Sequence, residues 1–236
     1  MKRSEIDAAL TGLLPTGWFA RQPRGFRQKL LECASEMRFA DGDWLYGTDE
    51  EAGGLFAILE GSVHLLAALE RGDTTLVDVV GRGNWFGQVG LLPDSHRVVT
   101  AVAAEPVTAL VVPRSSLSRL LSDDPLLWRS FAALDLEQMQ YVLNTLVETL
   151  SLPPGPRIAA RLLALGARNS ATPRLALRLT QTQLGEMTGL ERKTVNRVLK
   201  ALEARALVRT RYGTIEILDA GALARFRNLP ERPSDR

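Results

Sequence analysis

Short apolar runs broken by glycine-bearing turns set the pattern of the chain from Met37 to Val112. Leu55–Leu59 is followed by Gly61, Val63–Leu69 by Arg71-Gly72-Asp73, and Leu76–Val80 by Gly81, and Val107–Val112 supplies a last run. Strands of this length at close spacing predict an antiparallel barrel or jelly roll. After Pro113-Arg114-Ser115 the pattern turns helical, with Leu117, Leu120 and Leu121 on one face of a short helix. Asp124-Pro125 then signals a long helix in which Ala132, Leu136, Met139, Leu143, Leu146 and Leu150 follow at alternating spacings of four and three. That is an a/d seam, which packs either on the chain's own barrel or on a second copy. Pro153-Pro154-Gly155-Pro156 ends the helix and makes a hinge.

Beyond the hinge, Leu179–Leu218 combines a short helix, a glycine turn, a second helix and a hairpin. Thr180 can cap the first helix through its hydroxyl, and Gln183 can reach back to the cap's own N–H, a capping box. Gly189 falls where the chain must turn between the two helices, at a positive φ that glycine adopts without steric cost. At 100° per residue, Val195, Val198, Leu199 and Leu202 share one face of the second helix, while Arg192, Lys193, Asn196, Arg197 and Lys200 share the other. Arg forks onto guanine and Asn onto adenine, so such a face suits a major groove, with Thr182 on the first helix beside it. Leu207-Val208 and Ile215-Glu216-Ile217 flank Arg209-Thr210-Arg211-Tyr212-Gly213, a strand-turn-strand whose Arg209 and Arg211 can meet phosphates. The whole reads as a winged helix-turn-helix.

Charge sharpens this picture. The chain has 236 residues, 45% of them hydrophobic, enough for two compact domains, and a net charge of only +2. Residues 151–236 nevertheless carry 16 Lys and Arg against 7 Asp and Glu, and residues 1–150 carry 13 against 20. The basic half contains the helix-turn-helix, as a polyanionic partner requires, and an acidic half avoids one. Cys33 is the only cysteine and reads as a core thiol, so an intrachain disulfide and an iron–sulfur cluster are excluded. His64 and His96, the two histidines, read as strand or loop residues rather than haem ligands, and no metal cluster or nucleophile–base pair suggests an enzyme. No run approaches the roughly 20 apolar residues of a membrane span, which points to the cytoplasm.

Between Gly81 and Ala104 the barrel pattern is interrupted by GRGNWFGQVGLLPDSHRVVTAVAA. Its glycines allow the backbone to approach a ligand, Gly87–Leu92 can form a short helix facing an anion, and Arg97 can complete a phosphate clamp.

Barrel, loop, long helix and winged helix-turn-helix, in that order from about Gly42 to Leu218, resemble the Crp/Fnr family of bacterial transcription regulators. Leu184-Gly185 and Thr194-Val195-x-Arg197 match the family's helix-turn-helix motif. By that resemblance Arg192, Lys193 and Arg197 contact bases or phosphates with Asn196 beside them. Lys193, where members that bind cyclic AMP carry an acid, implies a different half-site, and Glu191 stands where a capping hydroxyl is usual. In the cyclic-nucleotide binders a Gly-Glu pair holds the ribose, an Arg-Ser pair holds the phosphate, and hydroxyls on the dimer helix meet the adenine. The matching residues here are Gly87-Gln88 with Val89, Arg97-Val98 and Val142-Leu143. Arg97 is kept, while Gln88, Val98 and Leu143 remove polar partners worth on the order of 1 kcal/mol each. The pocket is thereby left to a cyclic nucleotide held by shifted contacts, to another small effector, or to none.

The sequence therefore predicts an α+β chain: an N-terminal antiparallel β jelly roll with N-terminal helices over 1–123, a dimerisation helix over 124–152 and a winged helix-turn-helix over 153–236. The function it predicts is a homodimeric regulator reading a palindromic operator in double-stranded DNA, about 34 Å between recognition helices, with RNA polymerase as a further partner. A ligand-binding module acting on a protein partner, with a degenerate DNA-binding domain, is the alternative of a different class.

Overall fold

The computed structural model describes residues 17–48, 53–68, 72–91, 96–169 and 175–228. The chain packs as two units, Met1–Gln140 and Tyr141–Arg236.

In the first unit a helix, α1 (Arg24–Glu32), precedes β1 (Ser35–Phe39), β2 (Trp44–Tyr46), β3 (Gly54–Glu60), β4 (Ser62–Ala68), β5 (Thr74–Gly81), β6 (Trp85–Phe86), β7 (Thr100–Ala103) and β8 (Val107–Pro113). The strands pair antiparallel in two sheets of order β1-β8-β3-β6 and β2-β7-β4-β5, the predicted jelly roll. Tyr46, Phe56, Ile58, Val63, Val80, Phe86, Ala101 and Val111, drawn from both sheets, form the core between them. The opposite face of the first sheet carries Leu55, Ala57, Trp85, Leu110 and Val112, which pack with Phe26, Leu30, Leu117, Leu121, Phe131 and Leu134 of the helices. Covered on both faces, β3 reads as one apolar run rather than an alternation.

Two helices follow the barrel, α2 (Arg114–Asp123) and the long α3 (Trp128–Ser151). The long helix begins later than Asp124-Pro125 suggests, because Asp124 accepts from the Leu126 N–H at 3.2 Å and caps a separate 3-10 turn over Pro125–Leu127. Trp18 donates from Nε1 to the Ser130 carbonyl at 2.6 Å, and its ring lies among Phe19, Phe26, Trp85 and Phe131. These contacts fix which side of α3 faces the barrel: Phe131 and Leu134 are buried, whereas Leu136, Met139, Leu143, Leu146 and Leu150 are half to three-quarters exposed, and Ala132 is exposed with them.

The second unit holds α4 (Pro154–Asn169), β9 (Leu175–Arg178), α5 (Gln181–Thr188), α6 (Arg192–Glu203), β10 (Val208–Arg211), β11 (Thr214–Ile217) and α7 (Ala220–Arg227). The three strands form one antiparallel sheet of order β10-β11-β9. Neither β9 nor α7 is signalled by the sequence pattern: β9 is a four-residue alternation, and α7 opens on Ala-Gly-Ala behind its Asp219 cap, which accepts from the Ala222 N–H at 2.8 Å. Phe226 of α7 reaches the start of α4, where a Cβ on Gly155 would stand 3.3 Å from its ring.

Candidate nucleic-acid interface and sensor loop

Local chemistry builds the helix-turn-helix. Thr180 Oγ1 accepts from the Gln183 N–H at 3.2 Å and the Thr180 N–H donates to Gln183 Oε1 at 2.9 Å, closing the capping box. Gly189 ends α5 at φ 64°, in the left-handed region. A second glycine sets the approach of the helices: a Cβ on Gly185 would lie 2.6 Å from the Leu190 carbonyl oxygen. Val195, Leu199 and Leu202 of α6 are buried beneath, so the amphipathic division of that helix fixes its outer face. Arg192, Lys193, Arg197 and Lys200 stand exposed there, with Thr182 of α5 also exposed. Glu191 caps α6 without any side-chain hydrogen bond.

Asn196 departs from its expected place among the free readers. It is half buried, and its Nδ2 donates to Gln181 Oε1 at 3.0 Å, joining the two helices of the motif. Arg209 is likewise engaged, pairing with Glu216 across the hairpin at 3.2 Å. Arg211 is exposed, and at the tip Gly213 takes φ 64° beside a fully exposed Tyr212. Arg178 of β9, absent from the sequence-based set, joins Arg209, Arg211, Thr214, Glu216 and Ala176 around a trough of about 370 Å³ on the outer face of the wing sheet. Glu203, also unanticipated, accepts from the Thr210 N–H at 2.6 Å and from its hydroxyl at 2.7 Å, which ties the end of α6 to the wing.

In the first unit the structure brings Gly87, Gln88 and Arg97 together. Gly87 has φ 96°, and a Cβ there would fall 2.8 Å from Arg97 Nη1 and 2.9 Å from the Gly54 carbonyl oxygen. The Arg97 guanidinium is buried; Nη1 donates to the Gly87 carbonyl at 2.6 Å and Nη2 to the Gly54 carbonyl at 2.8 Å. Burial pushes the Tyr46 phenol up to about 12, with the adjacent Arg97 charge pulling the other way. The short helix expected after Gly87 is a 3-10 helix, Gln88–Leu91; Leu92 lies outside the described residues. Gln88 is buried, and its Nε2 donates to Asp135 Oδ1 at 2.9 Å and to Gln138 Oε1 at 2.8 Å, both on α3. Val89 and Val98 are exposed rather than turned into this cluster, and Val142 and Leu143 are exposed on α3.

Residues 36–124 match the cyclic nucleotide-binding domain, and residues 156–226 match the Crp-like helix-turn-helix domain. The chain is 30% identical to the cyclic AMP receptor protein of Thermus thermophilus over 170 residues, 72% of this chain and 77% of that one. It is 28% identical to the HTH-type transcriptional regulator Cmr of Mycobacterium tuberculosis over 196 residues, 82% and 77% of the two chains. FixK2 from Bradyrhizobium japonicum shares the fold, with a TM-score of 0.72 at 21% identity over 84% of this chain and 99% of that one. No helix among the described residues is long and apolar enough to cross a membrane. A sensor barrel of the cyclic-nucleotide-binding type, set ahead of a Crp-like helix-turn-helix, places this chain in the Crp/Fnr family of DNA-binding transcription regulators.

Proposed function

We propose that the chain works in the cytoplasm as a homodimer that reads a palindromic operator in double-stranded DNA, with RNA polymerase as its further partner. The observation that carries this reading is the uncovered stripe of α3. Leu136, Met139, Leu143, Leu146 and Leu150 expose between 50% and 76% of their surface along one 24-residue helix, a contiguous apolar face that a second copy covers. Two-fold symmetry then presents two α6 helices to successive major grooves. Arg192, Lys193 and Arg197 read the half-site, and Arg211, Lys200 and Thr182 hold the backbone around it.

Regulation on this reading is a population shift. The input enters at the barrel loop that holds Gly87, Gln88 and Arg97, where the family's nucleotide-binding domain points to a cyclic nucleotide or another small effector, and it acts only by its differential affinity for the arrangements of the dimer. Selection of bound duplexes from a random pool, paired with sedimentation velocity, tests the reading. A recovered palindrome and a dimer mass are expected; a monomer, or bound sequences without symmetry, would overturn it.

A further inference from the structure

We infer that Gln88 is a clasp between the sensor loop and the long helix, and that it makes operator binding by this chain independent of any cyclic nucleotide. The inference rests on the homodimeric operator-binding reading and assigns the state of its switch.

Gln88 is only 3% exposed and is separated from β6 by Gly87 alone. Its amide nitrogen donates twice to α3, to the Asp135 carboxylate and to the Gln138 amide oxygen. Gln138 Nε2 in turn donates to the Trp85 carbonyl at 3.1 Å, so strand, loop and helix close into one network. The bond to Asp135 is charge-assisted, the stronger class. A ligand that couples a barrel loop to a helix does so by bridging them; here the side chains of the chain itself supply the bridge.

The chemistry of the loop also disfavours a phosphodiester. Of the donors a phosphate needs, both Nη atoms of Arg97 are directed at backbone carbonyls and the Gln88 amide nitrogen at α3, which leaves the loop fewer to offer one. Taking either donor away leaves a carbonyl or a carboxylate without it, at a loss on the order of tenfold or more in affinity per group. The atom of Gln88 that lacks a protein partner is its buried Oε1, an acceptor. It matches a donor, not a phosphate oxygen. The neutral amide at position 88 is therefore the specificity-determining feature of the loop.

The test uses the full-length protein and its selected operator, with affinity measured by fluorescence anisotropy with and without excess cyclic AMP or cyclic GMP. The expected result is the same affinity in all three conditions, weakening by about tenfold or more in Gln88→Leu and in Gln88→Glu, which sets a carboxylate against Asp135. Combining Gln88→Glu with Asp135→Asn exchanges donor and acceptor at the Asp135 contact only, because Gln138 loses its donor, and restores part of the binding lost in Gln88→Glu, a rescue that a merely space-filling role for Gln88 would not produce. Strengthening of the wild type by either nucleotide, wild-type affinity in Gln88→Leu, or failure of the exchange to rescue overturns the inference. If the wild type selects no operator at all, it is the operator-binding reading that fails. Hydrogen exchange then judges the clasp alone: faster exchange over residues 131–138 in Gln88→Leu supports it, and unchanged exchange overturns it.

Discussion

The guanidinium carbon of Arg97 lies 4.0 Å from the centre of the Tyr46 ring, in a buried position where a cation is held by an aromatic face and by two backbone carbonyls. Replacing Arg97 with Leu strips the Gly54 and Gly87 carbonyls of these donors. The barrel is expected to lose about 2–4 kcal/mol, read as a lower urea midpoint at unchanged slope.

Tyr46 predicts an alkaline limit to barrel stability. Its phenol titrates near 12 when folded, because of burial, against 10.0 for the free group. Between those values the unfolded chain has already released the proton that the folded chain retains, so stability is full below pH 10 and falls as pH rises toward 12. The loss is about 2–3 kcal/mol. Unfolding curves across this range should show the fall in the wild type and a smaller one in Tyr46→Phe.

Gly185 is predicted to be the least replaceable residue of the helix-turn-helix. An alanine there drives its Cβ against the Leu190 carbonyl at 2.6 Å, backbone that cannot swing aside. Gly185→Ala should cost about 1–3 kcal/mol in thermal unfolding of the C-terminal unit, and operator affinity should fall with it. Equal stability of the variant and the wild type would show that the two helices are not in close approach.

Recognition should divide by residue. Arg192→Ala or Arg197→Ala is expected to relax the choice of base at one position of each half-site by about 1–3 kcal/mol. Arg211→Ala should weaken all sequences alike and flatten the salt dependence. Asn196→Ala belongs to a third class: with its amide joined to Gln181, it should lower the melting temperature of the C-terminal unit while leaving the base preference unchanged. Binding to a panel of half-site variants at several salt concentrations separates these outcomes.

Ala206, just past the end of α6, has φ 54°, a left-handed conformation that costs a side-chain-bearing residue roughly 1 kcal/mol. Ala206→Gly should therefore raise the melting temperature, offset in part by the added freedom of the unfolded chain.

What could be read from the sequence was what neighbours along the chain determine. Thr180 and Gln183 are three residues apart, and Gly189 sets its turn by its own backbone, so the motif was legible without tertiary structure. Strand β9 was not, because Leu175–Arg178 becomes a strand only by pairing with β11. The same holds for the polar contacts that reassign site residues. Gln88 finds Asp135 across 47 positions and Glu203 holds Thr210 across a turn, partnerships no periodicity encodes. Asn196 and Arg192 look alike as members of a polar face, and only the position of Gln181 shows that Asn196 ties the two helices together.

Arg157 has a consequence for the hinge. Prolines 153, 154 and 156 bring no N–H to that segment, so backbone bonding there is sparse. Side chains take over there: Arg157 Nε donates to the Leu152 carbonyl at 3.0 Å and Nη1 to the Thr188 carbonyl at 3.1 Å, at the edge of the helix-turn-helix turn. These two hydrogen bonds come from a charged group, about 1.5–3 kcal/mol each, and they act beside Arg161 Nη1, which donates to the Tyr141 hydroxyl at 2.9 Å and to Thr145 Oγ1 at 3.1 Å, and beside the Arg227–Glu148 ion pair at 2.8 Å, all holding the end of α3 to α4 and α7. The turn is thus held redundantly: a substitution at any one of these side chains loosens it by a step and leaves the remaining ties in place.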